Sequence, residues 1–419
     1  MKRITGFIKK AAAHPLAKGS AIVFAGSMAA NIASYLYHLV VGRILGPVAY
    51  GELAALLSLS YIFNVITVVL QTVVTKFVAE KSATGMTGEV RSLVLGLTRI
   101  LGIGAIISIG ALYFAAPSIS GFLHIDDPVV VMFLFAGIAF SFLGIVYSSV
   151  LQGKQRFIEG MAVLNVNALL RLLAGILAAS FGVLTVLMSN TIAVCIATLI
   201  TMWMIRDVLY AKKPMEQVKV FPLFRASIWT FLSILGISVL NSQDVVVVKH
   251  FLPDLESGWY AALSTMGKII FFASYSIAYV LLPIVSSRSA KGTRSSDLIY
   301  ASLGIVSGIS IAITAGFFAF PELALRILYG NTYVGASVYL GLFGVFSSLY
   351  TIAYTVVTAL LGLGKTSVWW ILIGIAILQD VLLSYFHSGI TSVIWVNIAV
   401  SATLVIALLL YYRHEVKDR

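Results

Sequence analysis

The segment Val183–Ile205, VLTVLMSNTIAVCIATLITMWMI, runs for 23 residues without a charged side chain. The hydrocarbon core of a bilayer is about 30 Å thick, so an α-helix of roughly 20 apolar residues crosses it. The segment is therefore typical of a transmembrane helix. A single residue, Gly182, separates it from the apolar run Gly160–Phe181, which predicts a tight hairpin between two spans.

Eleven other stretches have the same apolar character, which makes twelve predicted spans in 419 residues. Only 11% of the side chains are charged and 60% are hydrophobic, whereas about a quarter of the residues in soluble domains are charged. The composition predicts an all-α integral membrane protein, and no connection between spans has room for a folded soluble domain. The predicted spans are Ser20–Val41, Gly51–Val74, Val94–Phe114, Val129–Leu151, Gly160–Phe181, Val183–Ile205, Ser227–Val248, Trp259–Ile284, Leu298–Phe318, Ala336–Leu361, Ser367–Phe386 and Thr391–Leu410.

The cationic side chains predict the orientation, because cytoplasmic loops of membrane proteins are enriched in Lys and Arg. With the N-terminus inside, 23 of the 28 Lys and Arg residues fall in inner segments, and only Arg43, Lys249 and Arg326 fall in outer turns. The sequence thus predicts a multi-pass protein with both termini inside and an uncleaved first span. The net charge is +12, but the basic residues are spread over seven short inner segments rather than gathered on one surface, which argues against nucleic-acid binding.

A weak internal repeat relates the two halves of the chain. Six spans in each half would make the repeats parallel, and transporters commonly place the substrate path between such repeats. The sequence predicts an N-terminal lobe at 1–205, an inner linker at 206–226, a C-terminal lobe at 227–412 and a tail at 413–419. The matching positions are Leu45, Gly51 and Ala54-Ala55-Leu56 with Leu252, Gly258 and Ala261-Ala262-Leu263 at an offset of 207, and Gly153-Lys154 with Gly364-Lys365 at an offset of 211.

Ionisable side chains inside spans are costly and usually face a cavity or a partner. Arg171 lies near the middle of the fifth span, with Asn167 one turn earlier on the same face. Because no acidic residue lies at its depth, a cavity-lining role is favoured. Lys268 lies roughly 13 Å from the outer end of the eighth span, and Asp244 lies near the outer end of the seventh. These two form either a structural ion pair or part of a functional site in which Asp244 is the candidate for ion coupling.

Uncharged polar side chains also follow single faces of three spans, at helical spacings of three and four residues. Such stripes either hold helices together through hydrogen bonds or line a polar path. The first and seventh spans correspond in the repeat and both carry a stripe, which favours the path. The substrate-binding candidates are therefore Arg171, Lys268, Asn167, Asn31, Asn64, Gln71 and Asn241.

The sequence lacks the catalytic motifs of soluble enzymes. Gly364-Lys365-Thr366 is similar to the end of a phosphate-binding loop, but Ala359 replaces the required glycine and no strand precedes it. The single cysteine, Cys195, cannot form an internal disulfide, and six scattered histidines leave little for a metal cluster. We expect no catalytic residue, metal or cofactor, and transport driven by an ion gradient or by the gradient of the substrate itself.

The stretch Gly42-Arg43-Ile44-Leu45-Gly46-Pro47-Val48-Ala49-Tyr50-Gly51 resembles the first outer turn of polysaccharide and lipid-linked oligosaccharide flippases. These flippases belong to the multidrug/oligosaccharidyl-lipid/polysaccharide (MOP) exporter superfamily. The segment from Asp244 to Lys249, continuing through Gly258-Trp259-Tyr260-Ala261-Ala262, is similar to the seventh and eighth helices of that family, and so is the Gly364-Lys365 exit of the tenth span. The resemblance covers nearly the whole chain, and twelve spans fit the O-antigen type better than lipid II flippases.

The resemblance implies two six-helix lobes in a V that opens to each side of the membrane in turn. It also implies a cargo, an oligosaccharide linked to polyprenyl pyrophosphate, moved from the inner to the outer leaflet of a prokaryotic cytoplasmic membrane for cell-surface polysaccharide synthesis. Beside the lipid bilayer, other polysaccharide-assembly proteins are candidate partners. Arg171 and Lys268 suit such a cargo, because fixed cations offset the desolvation of a pyrophosphate.

Three other functions are weighed against this one. An ion-coupled multidrug exporter of the same superfamily would favour embedded carboxylates, whereas the two deepest embedded charges here are cations. A membrane-embedded glycan polymerase or ligase would need a sizeable outer loop with catalytic groups, and the outer connections are all short. A sugar permease of the major facilitator type also has six plus six helices, but the segment from Lys76 to Arg91 does not match the basic inner-loop signature of that family.

Overall fold

The computed structural model describes residues 15–84, 86–210, 227–290 and 293–417. All regular secondary structure in these segments is helical. Two short 3₁₀ helices, Asn331–Ala336 and Thr366–Val368, accompany the α-helices. The α-helices are α1 Pro15–Ala83, α2 Thr87–Phe122, α3 Val129–Gly153, α4 Phe157–Ala179, α5 Val183–Met204, α6 Arg206–Leu209, α7 Ile228–Leu240, α8 Gln243–Phe251, α9 Asp254–Ala290, α10 Ser296–Ala319, α11 Pro321–Leu328, α12 Ser337–Gly362, α13 Trp369–Tyr385 and α14 Ile390–Lys417.

Ten helical segments within the described residues are long and apolar enough to cross a membrane. One of them, Ile22–Ala83, has 62 residues and belongs to helix α1, which contains the first two predicted spans. The eighth predicted span lies in the 37-residue helix α9, in which several side chains are outside the described set. The all-α fold with twelve spans is therefore confirmed.

The first predicted outer turn is shorter than expected. Instead of a connection from Gly42 to Tyr50, helix α1 is interrupted at one residue, Gly46, with φ 74° and ψ 173°. A glycine adopts this left-handed backbone readily because it has no Cβ. Pro47 follows, and proline is well suited to the first turn of a helix, where its missing N–H has no partner to lose.

Contacts divide the chain into two compact units. The first consists of the described parts of Met1–Val41, Ile66–Ile119 and Asp127–Ala226. The second consists of Gly42–Val65, Ser120–Asp126 and the described parts of Ser227–Arg419. The predicted lobe boundaries stay a prediction. The contact units differ from the predicted lobes because Gly42–Val65 and Ser120–Asp126, which the prediction assigns to the N-terminal lobe, belong to the second unit. Most of the predicted linker, 211–226, and the last two residues of the predicted tail lie outside the described residues.

Close backbone packing explains why Gly42–Val65 belongs to the second unit. Gly51 and Gly258, which the sequence repeat pairs, lie against each other: a Cβ on Gly51 would be 2.9 Å from the backbone nitrogen of Gly258. The Tyr50 hydroxyl lies 2.9 Å from the hydroxyl of Thr265, and the Tyr333 hydroxyl donates to the carbonyl of Gly42 at 2.7 Å.

The C-terminal ends of α3 and α12 show the same repeat, but in a different register from the predicted one. The N–H of Arg156 bonds to a carbonyl five residues back and that of Gln155 to one three residues back. Lys365 and Gly364 repeat this pattern, which is that of a Schellman motif. The structural offset is therefore 209 rather than 211, because the left-handed residue of the motif is Gln155 in one half and Gly364 in the other, with φ of 59° and 77°.

Candidate functional site

The seventh predicted span is broken. The sequence predicts a continuous helix over Ser227–Val248, but α7 ends at Leu240 and α8 begins at Gln243, with Asn241 and Ser242 in a turn. A helix end leaves its last four carbonyls without intrahelical partners, and such groups are costly inside a bilayer. A break here therefore requires other donors.

Each of the last four carbonyls of α7 does accept a hydrogen bond. Two receive backbone N–H groups of the turn itself, at 3.0 and 3.2 Å. The Tyr350 hydroxyl donates to the carbonyl of Ile237 at 3.1 Å, and the Gln379 amide donates to that of Leu240 at 3.4 Å. Side chains from α12 and α13 thus make the interruption compatible with a membrane interior.

Asp244 lies in the first turn of α8, immediately after this break, and is 1% exposed. Its Oδ2 accepts hydrogen bonds from the Tyr260 hydroxyl at 2.5 Å and from the Asn397 amide at 3.2 Å. Gln379 donates to Asn397 Oδ1 at 2.7 Å, and Gln243 donates to Gln379 Oε1 at 2.6 Å. The result is a buried chain of polar groups that joins four helices of the second unit.

The other oxygen of Asp244, Oδ1, is buried and has no hydrogen-bond partner among the described residues. Asp244 lines a small cavity together with Asn241 and Lys268, which are both predicted site residues. Aromatic rings, including those of Phe271 and Tyr350, form much of the remaining wall. The second unit therefore contains a small chamber with one carboxylate and one ammonium group.

The ion pair that was one of two interpretations of Asp244 and Lys268 is not formed. Within the described part of the chain, Lys268 makes no ion pair. Its Nζ lies 4.8 Å from the centre of the Tyr61 ring. The carboxylate is instead held by Tyr260 and Asn397, so the lysine stem is directed to an aromatic face rather than to an anion.

Arg171 lies in α4 of the first unit and is partly exposed. Its guanidinium carbon is 5.1 Å from the centre of the Tyr37 ring on α1. No carboxylate in residues 15–84, 86–210, 227–290 or 293–417 forms an ion pair with it. Asn167, one turn earlier on α4, has a buried Oδ1 without a hydrogen-bond partner in the same set of residues.

The remaining predicted residues fall in both units. Asn31 is partly buried on α1 of the first unit. Gln71, also in the first unit, donates to Gln152 Oε1 at 3.1 Å, which makes it an interhelical contact. Asn64 belongs to the second unit and lies three residues after Tyr61, on the same helical face as the ring that Lys268 contacts. The polar stripe predicted for the second span, to which Asn64 and Gln71 belong, is thus divided between the two units.

Sequence reasoning missed the residues that surround Asp244 and Arg171. Asn397 and Gln379 are amides within apolar spans, and this isolation is a signal that could have singled them out. Tyr37 and Tyr61 carry no such signal, because an aromatic residue in a span is usually a packing residue. Only the three-dimensional arrangement shows that each of them faces an embedded cation.

Several solved structures have a similar fold. An inward-facing multidrug resistance MATE family transporter of the MOP superfamily is 13% identical, with a TM-score of 0.73 over 90% of this chain and 94% of that one. The lipid II flippase MurJ in an inward closed conformation is 14% identical, with a TM-score of 0.75 over 93% and 87%. A MOP superfamily transporter from Pyrococcus furiosus, described by the reverse polarity of its binding pocket, is 14% identical, with a TM-score of 0.57 over 94% and 95%.

The fold is that of a multi-pass membrane protein, and it is shared with solved transporters of the MOP superfamily. Residues 16–289, more than half of the chain, match the model of the family described as polysaccharide biosynthesis protein, and the chain belongs to that family. A comparison with curated proteins finds no match. The resemblance drawn from the outer turn and from the seventh and eighth spans is therefore confirmed.

Proposed function

We propose that this protein is a flippase that moves an oligosaccharide linked to polyprenyl pyrophosphate from the inner to the outer leaflet by alternating access. The observation that carries the proposal is that Arg171 and Lys268 lie inside spans over tyrosine rings, without an ion-pair partner in the described residues. The match to a polysaccharide biosynthesis family and the fold shared with a lipid II flippase support the same class of cargo.

The electrostatic reason concerns the cost of embedded charge. A cation near the centre of a transmembrane helix costs about 2.5 to 3.5 kcal/mol on insertion scales, and a cation–π contact returns only about 0.5 to 2 kcal/mol. Arg171 and Lys268 therefore remain incompletely compensated. An anionic pyrophosphate beside either cation supplies the missing counter-charge there, and in turn is relieved of part of its own desolvation penalty.

Amide groups near these cations suit the saccharide. The buried Oδ1 of Asn167 is an acceptor without a donor among the described residues, and a sugar hydroxyl supplies one. Asn31, Asn64, Gln71 and Asn241 are the further candidate contacts, and they stay predictions.

Asp244 is our candidate for ion coupling. A proton or a small cation at this carboxylate removes a negative charge from the cavity that Lys268 also lines. The ammonium then attracts a pyrophosphate more strongly, which links ion uptake to cargo binding. Transport in vesicles that is unaffected by collapsing both proton and sodium gradients contradicts this coupling.

We further propose that the protein lies in a prokaryotic cytoplasmic membrane with both termini inside, and that other polysaccharide-assembly proteins receive its product. The orientation rests on the distribution of Lys and Arg. Reaction of cysteines introduced at Arg43 and Lys154 with an impermeant thiol reagent tests it: only the Arg43 position is labelled from outside in intact cells if the N-terminus is inside.

The test of function uses a strain from which the gene is deleted. Lipid-linked saccharide should accumulate on the inner leaflet, and the wild-type gene should reverse this. Arg171→Ala should fail to reverse it, while Arg206→Ala should succeed. Arg206 is the matched control, because its guanidinium also lies over an aromatic ring, that of Trp203 at 4.6 Å, but at the end of a span.

Equal membrane levels of the two variants, measured by immunoblot, exclude a folding defect. Normal export by Arg171→Ala removes Arg171 from the site. Absence of accumulated lipid-linked saccharide in the deletion strain contradicts the flippase function itself.

One observation favours a second function, multidrug export. A carboxylate beside aromatic rings, as in the cavity of Asp244, Phe271 and Tyr350, is an environment that binds organic cations. Lys268 in the same cavity opposes this by charge repulsion. Increased sensitivity of the deletion strain to cationic dyes, without accumulation of lipid-linked saccharide, would favour the exporter.

A further inference from the structure

The Tyr37 ring contacts two positions one turn apart on α4. Tyr37 is 1% exposed. A Cβ on Gly175 would lie 2.6 Å from Tyr37 Cε2, so the ring packs directly on the α4 backbone. The Arg171 guanidinium lies over the same ring. The absence of a side chain at Gly175 thus lets the ring approach α4 beside Arg171.

The hydroxyl end of the same ring is also held. Asn190 on α5 donates from Nδ2 to the Tyr37 hydroxyl at 2.7 Å, and Asn190 is 8% exposed. Tyr37 therefore contacts α4 through its ring and α5 through its hydroxyl. Three helices of the first unit fix the orientation of one aromatic face.

This arrangement leaves the hydrogen-bonding capacity of Arg171 unused. A guanidinium has five N–H donors, and stacking on a ring consumes none of them. No side-chain hydrogen bond of Arg171 occurs to any residue that the structure describes. A guanidinium that a ring holds in place, with its N–H donors still available, is pre-organised for a bidentate acceptor such as a phosphate.

We infer that Tyr37, fixed by Asn190 and seated on Gly175, is a positioning residue that orients Arg171 toward a phosphate group of the cargo. The inference rests on the proposed function and extends it to residues that do not contact the cargo. A tyrosine–asparagine contact that only holds helices together would influence stability, but it would not distinguish a phosphorylated lipid from its alcohol.

The experiment measures binding of geranylgeranyl pyrophosphate and of geranylgeraniol to the full-length protein in lipid nanodiscs. Arg171→Ala should weaken pyrophosphate binding at least tenfold and leave alcohol binding unchanged. Tyr37→Phe and Asn190→Ala should each weaken pyrophosphate binding about threefold to tenfold, the range that follows from the loss of one neutral hydrogen bond. In the Arg171→Ala background, Tyr37→Phe should have no further effect, because the two act as one unit.

Tyr147→Phe is the matched control. Tyr147 is a buried tyrosine of the same unit whose hydroxyl accepts from Thr98 at 3.4 Å. This variant should bind both lipids like the wild type.

The outcomes separate the inference from the proposed function. Wild-type pyrophosphate binding by Arg171→Ala overturns the proposed role of Arg171 and the inference with it. A tenfold loss in Arg171→Ala combined with unchanged binding in Tyr37→Phe and Asn190→Ala overturns the inference alone. Equal loss of pyrophosphate and alcohol binding in Tyr37→Phe indicates a merely structural role and also overturns it.

Discussion

Replacement of Gln379 by leucine tests the account of the broken seventh span. The Gln379 amide donates to Asn397 Oδ1 and to the Leu240 carbonyl, and its oxygen accepts from Gln243. In Gln379→Leu the first two acceptors lose this donor, whereas Gln243 keeps its bond to the Ala376 carbonyl at 3.0 Å. Each buried polar group left unpaired costs about 1 to 3 kcal/mol, but side-chain hydrogen bonds between transmembrane helices average only about 0.6 kcal/mol. We expect a loss of about 2 to 4 kcal/mol in unfolding free energy.

The measurement is reversible unfolding in mixed micelles, with sodium dodecyl sulfate as denaturant. Gln152→Leu is the control, because Gln152 is also an interhelical amide partner, of Gln71 and Thr75, but is exposed. Its substitution should change the unfolding free energy by less than about 0.5 kcal/mol. If Gln379→Leu is no more destabilised than this control, the carbonyls at the break do not depend on Gln379 and the reasoning fails.

Two further predictions concern Gly51, which packs against Gly258, and the ion pairs of Asp207. Gly51→Ala should destabilise the protein by about 1 to 3 kcal/mol, because its Cβ meets the rigid backbone of Gly258. Gly304→Ala is the control: a Cβ at Gly304 meets open space, so this variant should be neutral or slightly stabilising in the same unfolding assay. Equal unfolding free energies of the two variants contradict the packing argument. Burial alone would raise the pKa of Asp207, but the hydrogen bonds and charges of Lys154 and Arg156 outweigh it and hold the pKa below its usual value. The difference in unfolding free energy between the wild type and Asp207→Asn should therefore be constant above about pH 5 and disappear as the pH falls below about 4. A difference that grows on acidification contradicts a lowered pKa of Asp207.

Much of the fold could be predicted because the cost of exposing a polar backbone to lipid leaves few solutions. Apolar runs of about 20 residues located the spans, and the depth of Arg171 and Lys268 followed from their positions in those runs. The break after Leu240 was missed because it contains neither glycine nor proline. Ser238, Asn241 and Asp244 lie three residues apart and fit one helical face, so the sequence favours a polar stripe on a continuous helix.

The candidate site was less predictable for a physical reason. Which aromatic ring faces Arg171 depends on the contact between α1 and α4, and spacing within one helix carries no information about that contact. The same holds for Asp244, whose partners Tyr260 and Asn397 come from two other helices, 16 and 153 residues away. The predicted ion pair of Asp244 with Lys268 rests on charge and depth alone. Neutral N–H and O–H donors also satisfy a carboxylate, and spacing in the sequence does not show which donors are near.

The interruption of the seventh span also gives Asp244 a source of positive potential that no side chain provides. The aligned peptide dipoles of α8 amount to roughly half a unit charge at its first turn, where Asp244 lies. Since this potential belongs to the main chain, replacing Lys268 does not leave the carboxylate without compensation. We therefore expect a replacement of Lys268 to leave the helix start that holds Asp244 intact.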